Sequence, residues 1–358
     1  MKFVVHNLTK LLEEKRSEIT QWMATKRSEV PIPIYGSVDI RDSGWKVAVV
    51  DANHFPAGFN NVSKEDESNL SSLLRDHILR LNQNCKWVHL YPESHTRNQG
   101  YVENVSTIKR LITMGGFRCT VGSPELEGHG SLDGISGPLL LNEVILDGDS
   151  LLVEGEQPDL IMLNNDLTEG LLPGLSSNQV FPPPHMGWQR RRKSEHYACL
   201  QSYVDEIADI LGIDREPVAF IKNDRGTYGL GIMAVSSGDQ LLNLSNRKFK
   251  RLMYSKGGVD VENFLIQEGV PTLMKSTDGS PVEPVVYLVD GEAASWFYRI
   301  NSKKGEMENL NSPSARFLPY SEVGDKFGEH AHGWHALIAE LSMLAMGAES
   351  KKQLEGSM

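Results

Sequence analysis

A lysine followed by a glycine-rich loop is the pattern in this sequence that most directly suggests chemistry. Two short apolar stretches of Pro217–Met233 (PVAFIKNDRGTYGLGIM) flank a loop that contains Gly226, Gly229 and Gly231. Alternation along the first stretch places Lys222 where a half-buried strand normally carries an apolar residue, and a buried cation requires an anionic partner. Glycine backbones can approach phosphate oxygens closely and surround them with N–H groups. The pattern therefore predicts a site for a nucleoside triphosphate.

The spacing excludes three familiar phosphate-binding loops. This loop lacks the Gly-Lys-Ser/Thr ending of a Walker loop and does not open a helix as a dinucleotide-binding turn does. A protein kinase places its lysine after the glycine loop, whereas Lys222 precedes it. The remaining alternative is a bulged β-hairpin that binds no ligand.

Other residues are predicted to contact the same nucleotide. A run of four cations ends at Lys193, which either lies in a solvated helix start or reaches the phosphates. The stretch Asn263–Val270 (NFLIQEGV) reads as an apolar strand. At its end, one backbone carbonyl and one backbone N–H are predicted to bind the edge of adenine, and the nearby carboxylate to bind a sugar hydroxyl. The alternative is a strand that ends at a surface turn. The predicted cofactor-binding residues are Lys193, Lys222, Gly226, Thr227, Tyr228, Gly229, Gly231, Gln267, Glu268 and Val270.

Two arginines are the candidates for catalysis. Val282–Asn301 reads as a β-hairpin about an Asp-Gly turn, and a two-residue turn would place Glu283 opposite Tyr298, with Arg299 on the diagonal. A charge pair would explain Arg299, but a planar cation with five donors also suits a phosphoryl group in transfer. Arg225, inside the glycine loop, is the second candidate, and simple solvation is its alternative.

The segment 308–316 (ENLNSPSAR) offers side-chain oxygens for a metal ion. Magnesium prefers hard oxygen donors and is usually held by one or two side chains together with nucleotide phosphates. Glu308, Asn309 and Asn311 are therefore the predicted metal ligands. Without a nucleotide nearby, the same residues would form an ordinary loop.

Polar side chains follow two predicted strands in the first half of the chain. Asp51 and Asn53 come after one strand, and Glu93, His95 and Arg97 come after the next. Ligands gather at the carboxyl ends of strands in parallel sheets, so these five residues are predicted to hold an amino-acid substrate. Turn chemistry is the alternative, because Asn and Asp favour turns.

The composition bounds the class of protein. The chain has 358 residues, 40% hydrophobic, and a net charge of −11, which argues against nonspecific nucleic-acid binding and against attachment to an anionic membrane. No signal peptide or membrane span is evident, and we expect a cytoplasmic location. Three widely spaced cysteines indicate inert thiols, with neither a disulfide framework nor a zinc site.

The order of predicted elements indicates an α/β fold, with α+β character in the second half. Strands at 46–51, 86–91 and 117–121 alternate with helices at 65–81 and 102–114, which predicts a layered domain with a mainly parallel sheet. A stretch rich in Gly, Pro, Ser and Asn at 170–184 is the best domain boundary. We expect a substrate-side domain at 1–180 and a nucleotide-binding, catalytic domain at 181–358.

Several segments together resemble the glutathione-synthetase branch of the ATP-grasp enzymes. These segments are IKNDRGTYGLGIM, LIQEGV, EPVVYLVDGEAASWFYRIN and ENLNSPSARF. More closely, the chain is similar to a proteobacterial type of glutamate-cysteine ligase, a resemblance that also rests on YGSVDIRDSGWKVAVVDANHFPAGFNN, YPESHTRNQGYVENV, LIMLNNDLTEG and GWQRRRKSEH. In one respect the chain departs from the ATP-grasp pattern, because Glu308 and Asn311 lie one residue further apart than in the usual Glu-x-Asn metal motif.

The resemblance implies an ATP-grasp-like second domain, ATP and Mg²⁺ as cofactors, and ligation of L-glutamate to L-cysteine through an acyl phosphate in glutathione synthesis. The partners would be these small molecules, with a homo-oligomer possible. Three alternatives stay open from the residues alone: another ATP-grasp carboxylate-amine ligase, a nucleotide-binding regulatory protein without turnover, and a small-molecule kinase.

Overall fold

A computed structural model describes residues 9–44, 46–94, 97–168, 170, 172, 174–175, 179–187, 193–211, 220–223, 232–233, 245–253, 264–267, 269–319 and 331–356. The α-helices are α1 Arg16–Glu29, α2 Glu67–Leu81, α3 Gln99–Met114, α4 Lys193–Leu211, α5 Asn246–Leu252 and α6 Ala336–Gly356. The first ten strands are β1 Tyr35–Asp42, β2 Val47–Asn53, β3 Trp87–Pro92, β4 Arg118–Val121, β5 Ser131–Gly134, β6 Gly137–Leu140, β7 Val144–Asp147, β8 Ser150–Val153, β9 Leu160–Asn164 and β10 Val180–Phe181. The others are β11 Phe220–Asn223, β12 Ile232–Met233, β13 Phe264–Gln267, β14 Val282–Val289, β15 Glu292–Ile300 and β16 Arg316–Pro319.

An antiparallel sheet of five strands, in the order β16-β15-β14-β1-β2, joins the two ends of the chain. Every residue of β1 and of β14 is buried, because both strands lie inside this sheet and are covered on both faces. The predicted boundary near residue 180 remains a prediction, and this sheet takes strands from both sides of it.

The predicted parallel sheet exists, but it lacks one expected strand. β10, β9, β3 and β4 pair in parallel in that order, with α2 and α3 contributing to the apolar core beside them. Residues 46–51 were expected there. Residues 47–51 lie instead in β2, which pairs antiparallel with one edge of β1. The other edge of β1 pairs with β14, so β1 and β2 both belong to the five-stranded sheet.

The two faces of the five-stranded sheet differ in what they bury. One face packs Val38, Val286 and Trp296 against α6, α4 and α1. The other face begins as an aromatic cluster, in which the ring centroids of Phe59 and Tyr287 lie 4.7 Å apart, in the core shared with the parallel sheet. Further along the same strands this second face becomes charged, and that charged end is the region of chemical interest.

The β14–β15 hairpin forms about the Asp-Gly turn as predicted, but its register differs. Leu288 pairs with Ala293, whereas Tyr287 pairs with Ser295. The extra residue creates a β-bulge, which shifts every later pair by one position. Arg299 is therefore directly opposite Glu283, and the prediction that Tyr298 would take that position was wrong.

The strands on either side of the glycine-rich loop also form as predicted. β11 pairs antiparallel with β12 and, on its other edge, with β13. Lys222 is opposite Ile232 on one side and Leu265 on the other. The loop between β11 and β12, residues 224–231, lies outside the described residues.

The three cysteines form no disulfide. Burial raises the pKa of Cys85 to about 11 and that of Cys119 to about 12, so both are thiols at neutral pH, as expected for inert cysteines. Within the described ranges, no helix is long and apolar enough to cross a membrane.

Substituting Gly58 with alanine is expected to destabilise the protein by about 2–5 kcal/mol. Its φ is +118°, and an added Cβ would lie 2.7 Å from the hydroxyl oxygen of buried Tyr287. Gly137 is a matched control, because its φ is +131° but nothing lies within 4 Å of an added Cβ. Urea unfolding should give a loss of about 1–3 kcal/mol, the backbone strain alone, for Gly137→Ala. Equal losses for both variants would contradict the packing role of Gly58.

Candidate active site

Four buried charged residues form a network at the charged end of the five-stranded sheet. Asp39 and Arg41 lie on β1, Glu283 lies on β14, and Arg299 lies on β15. The Arg299 Nη1 atom is 2.6 Å from the Asp39 carboxylate and 3.4 Å from that of Glu283. On the other side of Glu283, Arg41 Nε donates to Oε1 at 2.7 Å. Two cations and two carboxylates thus neutralise one another in a region that excludes most water.

Arg299, a predicted catalytic residue, retains an unused donor in this network. The residue is only 7% exposed, and both of its contacts with carboxylates use Nη1. Its Nε is buried and has no hydrogen-bond partner among the described residues. Nε and Nη2 form one edge of the planar guanidinium, and this edge matches the two oxygens of a carboxylate or phosphoryl group.

The charge of Arg299 is firmly held. Burial by itself would lower the pKa of this guanidinium, but the nearby Asp39 and Glu283 carboxylates outweigh that effect and raise the pKa above its ordinary value. Arg299 is therefore a permanent cation with a buried Nε donor that has no partner among the described residues. Arg225, the other catalytic candidate, lies outside the described residues.

Arg41 is a residue of the site that sequence reasoning missed. It is 5% exposed, and besides Glu283 it reaches the backbone carbonyl oxygens of Val270 and Glu306, each through Nη1, at 3.4 and 3.3 Å. Its Nη2 donates to the carbonyl oxygen of Glu308. The alternation Val-Asp-Ile-Arg in β1 was the available signal, because it places a charge at every second position of a buried strand.

Part of the predicted nucleotide site lies next to this network. Gln267, the last residue of β13, donates from Nε2 to the carbonyl oxygen of Val49 on β2 at 2.8 Å. Val270 is buried and accepts from Arg41. Lys222 lies one strand away from Gln267, and Lys193 is the first residue of α4. The other predicted cofactor-binding residues lie outside the described ranges: Gly226, Thr227, Tyr228, Gly229, Gly231 and Glu268.

The predicted metal ligands lie on a loop that Arg41 contacts through its backbone. Glu308 is exposed, and its carboxylate accepts from the Gly305 N–H at 2.7 Å and from Lys304 Nζ at 3.3 Å. These contacts, the Gly305 N–H first, hold the pKa of Glu308 below its ordinary value, so the group is ionised at neutral pH. The Asn309 side-chain oxygen accepts from the Asn311 N–H at 2.9 Å.

This donor set fits Mg²⁺, because an ionised carboxylate and amide oxygens are hard ligands. Across the described ranges, no group of three or more His, Cys, Asp and Glu residues is arranged to hold a metal ion. Residues 308–311 offer two or three side-chain ligands. That number is enough for an ion whose other ligands are phosphates and water, and too few for a metal ion held by protein alone.

The predicted amino-acid ligands divide into two groups. Asp51 and Asn53 are half-buried and pair with Asp39 and Ser37 of β1; directly opposed residues share a face, so both lie on the face that carries Arg299. Glu93 follows β3 at the carboxyl end of the parallel sheet. Arg97 is exposed, and His95 lies outside the described residues.

The loop that follows Asn53 is held by two buried amides that sequence reasoning also missed. The Asn104 side-chain oxygen accepts from the backbone N–H groups of Gly58 and Phe59, each at 2.8 Å. Asn164 donates to the Pro56 carbonyl oxygen at 2.9 Å and accepts from Asn104 at 2.9 Å. The loop backbone is therefore fixed by the parallel-sheet region, which gives the five-stranded sheet a rigid neighbour.

The chain matches one known protein family over most of its length. A family model described as GshA, glutamate-cysteine ligase, matches residues 9–219 and 211–349. A crystal structure from Methylobacillus flagellatus KT, named as a candidate gamma-glutamylcysteine synthetase, aligns with a TM-score of 0.86 and 26% identity, over 98% of this chain and 97% of that chain.

A second solved structure is much less similar. The apo form of a glutathione synthetase-like effector (GSS30) from Globodera pallida aligns with a TM-score of 0.38 and 10% identity, over 88% of this chain and 80% of that chain. A likeness this low carries no argument about fold or activity. No curated protein matches the chain.

Proposed function

The chain belongs to the glutamate-cysteine ligase family and is a ligase, and from that premise we propose that it uses ATP to join the γ-carboxylate of L-glutamate to the amine of L-cysteine. The product is γ-glutamylcysteine, and the reaction is the first step of glutathione synthesis. The observation that carries the proposal is the buried Arg299, whose Nε has no partner among the described residues.

The chemistry has two steps. An oxygen of the glutamate γ-carboxylate attacks the γ-phosphorus of ATP, the bond to the bridging oxygen breaks, and an acyl phosphate and ADP form. The cysteine amine then attacks the acyl carbon, the carbon–oxygen bond to phosphate breaks, and the amine loses a proton as the amide forms. No enzyme nucleophile is required, so rate acceleration comes from positioning and from charge stabilisation.

Arg299 is suited to both steps. Its Nε edge can bind the oxyanion of the γ-carboxylate or of the transferring phosphoryl group, while Nη1 stays paired with Asp39 and Glu283. A cation that is already held in place needs little reorganisation when negative charge spreads in the transition state. Because Arg299 is 7% exposed, competing water has little access to it.

The other predicted residues complete the site under this proposal. Lys222 and the glycine loop bind the phosphates, and Gln267–Val270 bind the base. Glu308, Asn309 and Asn311 would hold Mg²⁺, which would supply charge neutralisation at the phosphates. Asp51 and Asn53 hold the amino-acid substrate on the sheet face that carries Arg299. The reaction is placed in the cytoplasm, where thiols stay reduced.

The test is phosphate release from ATP with glutamate and a panel of amines, followed by mass spectrometry of the product. Cysteine should support the fastest release, and the product should have the mass of glutamate plus cysteine minus water. A faster reaction with glycine or alanine would move the assignment to another carboxylate-amine ligase. A stable phosphorylated compound in place of an amide would indicate a kinase and contradict the proposal.

A further inference from the structure

Arg41 joins three parts of the candidate site that are far apart in the sequence. From β1 it contacts Glu283 on β14, the carbonyl oxygen of Val270, and the carbonyl oxygens of Glu306 and Glu308. A guanidinium has five N–H donors in a fixed plane, and here those donors serve one carboxylate and three backbone carbonyls. No other standard side chain can make this set of contacts at once.

Two of these contacts lead to segments with predicted ligand-binding roles. Val270 ends the segment predicted to bind the base, and Glu308 begins the segment predicted to bind the metal. Both are held through backbone carbonyls, so the Glu308 side chain stays free of Arg41 and bonds instead with Gly305 and Lys304. Arg41 therefore fixes the relative position of the two segments without occupying the Glu308 carboxylate.

The third contact leads to Arg299. Glu283 uses Oε1 to accept from Arg41 and Oε2 to face Arg299 Nη1 at 3.4 Å. Because one carboxylate is shared, the orientation that Arg41 gives to Glu283 also influences the plane of the Arg299 guanidinium. A change at Arg41 can thus reach the reacting end of the site as well as its nucleotide end.

We propose that Arg41 is the positioning residue that sets the base-binding segment, the metal-binding segment and Arg299 at the spacing which ATP with Mg²⁺ requires. This inference rests on the proposed function and deepens it. Arg41 touches no substrate, because its donors are directed to protein atoms. Its effect is therefore expected on the dependence of the reaction on ATP and Mg²⁺ and, through Glu283 and Arg299, on turnover.

The test compares Arg41→Lys with Arg27→Lys. Arg27, on α1, is a matched control, because it also donates to a backbone carbonyl, that of Gly291, at 2.7 Å and pairs with Glu292 and Glu340. These contacts lie at the β14–β15 turn, which is the opposite end of β14 from Glu283. Lysine keeps the charge in both variants but loses the planar set of donors. The measurements are the KM for ATP, the Mg²⁺ concentration giving half-maximal rate, the turnover number, and Tm.

For Arg41→Lys, the KM for ATP and the half-maximal Mg²⁺ concentration should each rise roughly tenfold or more, as is usual when a supporting contact of a metal site is lost. The turnover number should fall as well, because Arg299 is oriented through the same Glu283 carboxylate that Arg41 contacts. Arg27→Lys should leave all kinetic constants unchanged. If Arg41→Lys lowers Tm but leaves the ATP and Mg²⁺ dependence as in the wild type, Arg41 is only structural and the proposal is overturned.

A measurement on the wild type keeps the proposal testable if Arg41→Lys does not fold. Hydrogen–deuterium exchange, with and without Mg²⁺ and a non-hydrolysable ATP analogue, should give protection of residues 269–270 and 306–311 at the same analogue concentration. Protection of one segment alone would contradict the coupling. This readout needs no turnover, so absence of ligase activity with glutamate and cysteine would refute the proposed function and leave this result interpretable.

Discussion

Arg299→Lys is expected to lower the turnover number by roughly 100- to 1000-fold, the usual cost of losing one preorganised donor to a developing oxyanion. Lysine retains the positive charge that Asp39 and Glu283 require, but it lacks the Nε donor, which has no partner among the residues that the structure describes. The measurement is steady-state phosphate release at saturating ATP, glutamate and cysteine, with Tm recorded alongside. Tm should change little, because the buried charges stay balanced.

Two further variants make this result specific. Arg299→Ala would leave the buried Asp39 carboxylate without its arginine partner, while Glu283 keeps Arg41, and removing one partner of a buried pair costs about 3–5 kcal/mol of stability. Arg316→Lys is the control, since Arg316 lies on the neighbouring β16, is exposed, and pairs with Asp278 at 3.2 Å. Wild-type turnover in Arg299→Lys would mean that Arg299 is an ion-pair partner and has no part in catalysis.

Lys222→Ala is expected to weaken ATP binding roughly 10- to 150-fold, which corresponds to the loss of about 1.5–3 kcal/mol for a hydrogen bond to a charged group. Lys222 lies in the middle strand of the β12-β11-β13 sheet, directly before the glycine-rich loop. Isothermal titration with a non-hydrolysable ATP analogue and Mg²⁺ measures the change without turnover.

The control for Lys222 is Lys64→Ala, because Lys64 is an exposed lysine in a short 3₁₀ turn. It should bind the analogue as the wild type does. If Lys222→Ala also binds normally but has a lower Tm, the lysine neutralises an acidic neighbour in the fold, and the phosphate site must be sought elsewhere.

Local patterns in the sequence predicted the local structure well. The Asp-Gly dipeptide predicted the β14–β15 turn, and hydrophobic periodicity predicted α2, α3, β3 and β4 close to their observed bounds. The β-bulge at Ala294 could not be predicted, because a turn fixes register only up to the first irregularity. That single residue decides that Arg299 is opposite Glu283.

Long-range pairing was the part that could not be predicted. Tyr35–Asp42 contains a glycine and three charged residues, so it did not suggest a buried strand. Asp39 and Arg41 are tolerated because their partners come from β14 and β15, and Asp42 because its carboxylate lies 2.9 Å from His335 Nε2, all far along the chain. Arg299 was a candidate because it lies in a hairpin that the sequence predicts. Arg41 was missed because all of its partners are more than 200 residues away in the sequence.

The shared sheet has a consequence for how the polypeptide is made. β1 and β2 leave the ribosome long before β14 is synthesised, yet β1 pairs with β14 along most of its length. Until then the β1 edge that faces β14 lacks its partner strand, and pairing between such distant segments forms slowly and leaves intermediates prone to aggregation. A chain that terminates before Val282 lacks β14, so β1 keeps only β2 as a neighbour and the buried charges Asp39 and Arg41 lose the partners that β14 and β15 supply.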